Sequence, residues 1–126
     1  GDWSSDVCSS DLINENNGYS YDNNTGKITF GTIGTYAITA TSIWSAAPIE
    51  TDGSNNTILG SIRLITGNDG MTYISSTAYD GNVWHSMASI TIRISDTNDT
   101  VTLYACNPTT SSMYISPSIE ILRIGG

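Results

Sequence analysis

Clusters of Asn, Asp and Gly interrupt this chain at short, regular intervals, and between them the apolar residues fall on alternate positions. The clusters are Asn16-Asn17-Gly18, Asn23-Asn24-Thr25-Gly26, residues 51–56, Gly67-Asn68-Asp69-Gly70, Asp80-Gly81-Asn82, residues 96–99 and residues 107–112. Asn, Asp and Gly tolerate the left-handed backbone that tight turns demand. Short alternating runs between such turns are the mark of an antiparallel sandwich or barrel.

The alternation also predicts which face of each strand is buried. In residues 35–45, Tyr36, Ile38, Ala40 and Trp44 share a face, with Ser42 as the exception. Ile90, Ile92 and Ile94 alternate with Ser89, Thr91 and Arg93, and Val101, Leu103 and Ala105 point one way. Gly60 to Ile65 carries Ile62 and Leu64 on one side and Ile65 on the other. The last run is apolar on both sides, Ile119 and Ile121 on one and Leu122 and Ile124 on the other. Two apolar faces imply two covers: the domain's own core and something outside it. No segment shows a helical period of useful length.

A chain of 126 residues suits one domain with one core. Its Ser, Thr, Asn and Gly are poor helix material, while its Ile, Val, Thr, Tyr and Trp favour sheet. The net charge of −8 leaves four basic residues, Lys27, Arg63, Arg93 and Arg123, spread along the chain. No basic patch is available to neutralise phosphates, so nucleic acid is not an expected partner. An anionic membrane surface would repel the chain, and no apolar run approaches a membrane span. The first residues have neither the basic region nor the apolar core of a secretory signal.

Residues 1–12, GDWSSDVCSSDL, fit neither a strand nor a helix period. The string resembles the translation of a sequencing adapter, and it is read as a non-native or disordered leader before a domain of residues 13–126. Three of the twelve acids lie in it, so the remainder carries nine acids against four bases. Cys8 falls in this leader, and a Cys8–Cys106 pair is not expected.

From Tyr21 onward the chain resembles the complement C1q globular domain, of the tumour-necrosis-factor-like jelly-roll superfamily. The residues that carry the likeness are Tyr21-Asp22, Thr25-Gly26-Lys27, Phe30 and Gly34-Thr35-Tyr36. They are followed by the strand 60–65 with its turn at 67–70, the Ser-rich strand 86–94, the turn 96–101 leading to Leu103-Tyr104-Ala105, and the closing run 118–125. The likeness spans about 105 residues and rests on the order and spacing of these motifs. It implies a two-sheet antiparallel jelly-roll sandwich assembled as a homotrimer. In that family a first strand lies beside the last one in the inner sheet near the threefold axis. Here the adapter-like residues stand in its place, which implies a missing first strand and an open edge beside residues 118–124. No collagen-like stalk is present in this sequence.

Candidate chemistry is sparse. His85 is the sole histidine, and its neighbour Ser86 points to the opposite strand face, so no hydrolytic triad forms from the pair. One histidine and one distant cysteine make no zinc pattern. Cys106 reads as a small buried hydrophobe. Glu50, Asp52, Asp69, Asp80, Asp96 and Asp99 sit in turns, where acids satisfy turn backbone. They leave calcium as the one ion to consider, though no spaced ligand loop is present. The N-x-Thr triplets at Asn23, Asn55 and Asn98 are expected by chance in so Asn/Thr-rich a chain. Tyr73, Tyr79, Trp84, Tyr104 and Tyr114 outnumber what a small core needs, so some belong to an interface or a ligand patch.

The expectation is therefore a non-catalytic binding head without a cofactor, on a virion or phage fibre tip or a bacterial or secreted surface, and taking a protein or glycan partner. Its trimer seam is expected at Leu122 and Ile124, or Ile119 and Ile121, with Tyr104 flanking. Its ligand-facing loops are expected at Asp69, Tyr79, Asp80 and Trp84. A structural fibre or capsid jelly roll, and a carbohydrate-binding module of a larger enzyme, are the alternatives.

Overall fold

In the computed structural model, which describes residues 2–4, 19–22, 24–67 and 70–126, the alternating runs are strands and the polar clusters are the turns between them. The strands are β1 (Asp2–Ser4), β2 (Tyr19–Asp22), β3 (Lys27–Phe30), β4 (Gly34–Trp44), β5 (Ile49–Thr51), β6 (Thr57–Leu59), β7 (Ser61–Thr66), β8 (Thr72–Ile74), β9 (Ser76–Tyr79), β10 (Trp84–Ile94), β11 (Thr100–Asn107) and β12 (Ile115–Gly125). No helix occurs among the described residues, so none is long and apolar enough to cross a membrane.

All pairings are antiparallel. One sheet runs β2-β3-β11-β7-β8, with β1 added to β11, and the other runs β12-β4-β10-β9. The β5–β6 ribbon stands apart from both. Strands of the two long sheets touch across the interior, β10 against β7 and β8, and β4 against β7.

The core lies between these layers. Tyr36, Ile38, Ala40, Ile90, Ile94, Ile119 and Ile121 enter it from one sheet; Ile28, Phe30, Ile62, Leu64, Val101 and Leu103 enter from the other. Each large side chain so buried contributes roughly 1.5–3 kcal/mol relative to exposure. Phe30 and Tyr36 join the layers with ring centroids 4.8 Å apart and planes tilted by 53°. The Tyr36 hydroxyl donates to the Thr32 carbonyl at 2.8 Å, which satisfies its polar end.

The turns work as their composition predicts. Asp52 Oδ1 accepts from the amides of Ser54 and Asn56, and Asn55 adopts φ 64°. Asp96 Oδ1 accepts from the Asn98 amide. Gly26 and Gly81 take positive φ, 75° and 93°, where a side chain would be strained.

The leader departs from the sequence reading. Residues 2–4 are a strand, paired through Asp2↔Asn107, Trp3↔Cys106 and Ser4↔Ala105. The physical reason is an unfilled edge. On that side of β11, β3 pairs only with residues 100–102, leaving the backbone of 105–107 to any extended segment. The expected turn at Asn16-Asn17-Gly18, Cys8, and the residues Asn23, Asn68 and Asp69 lie outside the described residues.

Strand β12 is the opposite kind of edge. It pairs with β4 along its whole length, from Ile115↔Trp44 to Gly125↔Thr35 with a bulge near Ile124, and no described strand covers its other side. Pro117 sits in it, which suits an edge strand because proline has no amide to donate.

Candidate functional site

Two surfaces gather the residues singled out by the sequence. The first is the outer face of the β12-β4-β10 sheet. Register aligns Leu122 with Ala37 and Thr91, Glu120 with Thr39 and Ser89, Ser118 with Thr41 and Met87, and Ser116 with Ile43 and His85. Leu122, Ile43 and Met87 are each half or more exposed, at 60%, 50% and 53%. Ile124, unpaired at the bulge, is also exposed. Nearly everything between them is Ser, Thr or Ala. Thr39 and Ser89 join hydroxyls across the strands at 3.3 Å. Glu120 is the only carboxylate on this face, and it lies on the edge strand. The face is weakly charged and dotted with apolar side chains.

Of the residues expected at a seam, this surface holds Leu122, with Ile124 exposed at the bulge beside it. Ile119 and Ile121 point the other way and are buried in the core, 0% and 6% exposed. Tyr104 is half-buried on β11, in the other sheet, and does not flank β12. Ile43 and Met87 were missed in the sequence. Their signal was present: each precedes an inward residue, Trp44 and Ala88, so alternation turns both outward. The break at Ser42 obscured the pattern for Ile43.

The second surface is the β9–β10 hairpin end, which unites Tyr79, Asp80 and Trp84. Pairing sets Tyr79 opposite Trp84, and Trp84 opposite Trp44 on the next strand. Tyr79 and Trp84 rings lie 5.2 Å apart between centroids, with planes 34° apart. Trp84 packs on the core, whereas Tyr79 is 53% exposed. The base beneath them is tied down by hydroxyls. Trp44 Nε1 donates to Ser86 Oγ at 2.9 Å, Ser86 Oγ meets Thr77 Oγ1 at 2.8 Å, and Thr77 Oγ1 donates to the Gly60 carbonyl at 2.7 Å.

The four-residue turn closes with the Asp80 amide on the Val83 carbonyl at 3.2 Å. Asp80 Oδ1 accepts from the amides of Val83 and Asn82, both at 2.9 Å. These two bonds hold its carboxyl below the usual carboxylate value, and the charge of His85 helps. Asp80 is thus an ionised, oriented acceptor next to an exposed aromatic ring. Asp52 is held down in the same way by the amides of Asn56 and Ser54. Asp69, the fourth expected ligand-facing residue, lies outside the described residues.

Reactive groupings do not assemble among the described residues. His85 is half-buried and turned to the outer face, while Ser86 is buried on the inner one. Cys106 is a free thiol, half-buried and not in the core, because it alternates out of phase with Leu103 and Ala105. No group of three His, Cys, Asp or Glu residues is placed to hold a metal ion. No protein-family model, curated protein or solved structure matches this chain.

Proposed function

We propose that this chain is a C1q-like jelly-roll head that acts without catalysis, assembling as a homotrimer and presenting hairpin loops to a protein or glycan partner outside the cell or on a virion. The strand order supports the jelly-roll reading: β3 and β7 flank β11, β12 and β10 flank β4, and the chain passes repeatedly over the ends from one sheet to the other. The observation that carries the assembly is the outer face of β12, β4 and β10. Leu122, Ile43 and Met87 are exposed there on a surface depleted of charge. Depletion of charged side chains is a compositional mark of an interface core. Sister subunits are the proposed cover because the contact would be made on a face poor in charge, where the repulsion between acidic copies is least.

Three identical sites on one head turn weak contacts into useful avidity. The open edge of β12 favours a second arrangement, in which strands of neighbouring chains add edge to edge and the product is a fibre. Light scattering on Leu122→Lys decides whether the face is used. Loss of assembled mass with unchanged secondary structure supports the reading, and an unaltered assembly refutes it.

A further inference from the structure

We infer that the β9–β10 hairpin end is a binding site for a neutral saccharide, with the apolar C–H face of one hexopyranose ring lying on Tyr79 and ring hydroxyls donating to Asp80. The inference rests on the reading of this domain as a binding head and names the ligand class of its loop end. Four observations support it.

The aromatic surface is exposed yet braced by its neighbours. Tyr79 has 53% of its surface in water, although its ring lies 5.2 Å from Trp84, which is itself packed on the core. The strands below are locked by the Trp44–Ser86–Thr77–Gly60 chain of hydrogen bonds. A ligand therefore meets a ring already braced by the fold, at a reduced ordering cost.

The polar group next to this ring in the chain is an oriented acceptor. Asp80 is fixed by two amides on Oδ1 and follows Tyr79 directly in the chain. A carboxylate held this way accepts from sugar hydroxyls, and such charge-assisted bonds are the stronger kind.

The charge selects against anions. A net charge of −8 and an ionised Asp80 disfavour phosphorylated, sulfated and sialylated ligands.

The ring geometry offers no cage for a quaternary ammonium. Such a cage directs several aromatic faces at one point. Here the two rings stack on each other with centroids 5.2 Å apart and planes 34° apart, so they do not converge on a shared point. What Tyr79 leaves exposed is a single aromatic surface, which suits the flat C–H face of a hexose.

The test is titration of the intact chain with methyl hexosides and N-acetylhexosamines, followed by tryptophan fluorescence and by NMR of the ligand. Choline, a lysine-containing peptide and a sulfated hexose serve as rival probes. At least one neutral sugar is expected to bind weakly and saturably. Tyr79→Ala and Asp80→Ala are each expected to weaken it at least tenfold, whereas Tyr79→Phe retains it. Melting curves check that each variant remains folded. Absence of binding by every neutral sugar overturns the inference, as does preference for a cation or anion, or binding that Tyr79→Ala leaves intact. Assembly is read separately on the same samples. A trimer that binds no sugar sinks this site alone, and a monomer that binds sugar sinks the trimeric head alone.

Discussion

Ser42 and Ser86 are cross-strand neighbours on β4 and β10, both 1% exposed, and alanine is expected to have opposite effects at the two positions. Ser86 Oγ holds the Trp44 indole and the Thr77 hydroxyl. Ser42 Oγ is buried without a hydrogen-bond partner. A hydroxyl taken from water and left unpaired costs roughly 1–3 kcal/mol. Ser42→Ala removes that cost. The void it leaves is on the order of 10 Å³, which at ~24 cal/mol per Å³ returns only about 0.2 kcal/mol of loss. The net expectation for Ser42→Ala is a gain of about 1 kcal/mol, a rise of about 3–5 °C in Tm for a domain of this size. Ser86→Ala strands the Trp44 N–H in the core and is expected to lose roughly 1–3 kcal/mol. Guanidinium unfolding followed by tryptophan fluorescence reads both, with Cm moving in opposite directions at constant m. A fall in Cm for Ser42→Ala refutes the reasoning, because it means that the hydroxyl is bonded.

Acid sensitivity follows from the turns. Asp52 and Asp80 have folded-state values below the ordinary 3.8, so their stabilising effect is present above that value and is lost as pH falls through the depressed one. Tm is expected to drop below about pH 4, and the double variant Asp52→Asn, Asp80→Asn is expected to show a shallower drop in a pH series of melting curves. Leu122→Lys, on the outer face, is expected to raise the concentration needed for assembly at least tenfold with little change in far-ultraviolet circular dichroism; unchanged assembly counts against the proposed seam.

The sequence was most legible where one rule dominated. Alternation assigned Tyr36, Ile38, Ala40, Ile90, Ile94, Val101 and Leu103 to the core, and all are buried. It also separated Ile119 and Ile121 from Leu122 and Ile124. It could not say which pair faced inward, since both are apolar and only the partner layer decides. Alternation likewise could not tell that Tyr104 joins the other sheet from β12, because it gives the face of a strand but not the sheet that it joins. Residues 2–4 carry no strand pattern, yet they pair with β11 because an open edge accepts backbone regardless of side chain. Tyr79, Asp80 and Trp84 were legible as a turn flanked by aromatics. Their cooperation depends on the cross-strand register and on the Asp80 hydrogen bonds, neither of which residue types alone disclose.

Sedimentation equilibrium of the unmodified chain over a wide concentration range tests the assembly most directly. The account predicts a species of three times the chain mass that persists on dilution, because the weakly charged outer face of β12, β4 and β10, with its exposed apolar side chains, needs a cover. A folded single chain at the highest concentrations would contradict it.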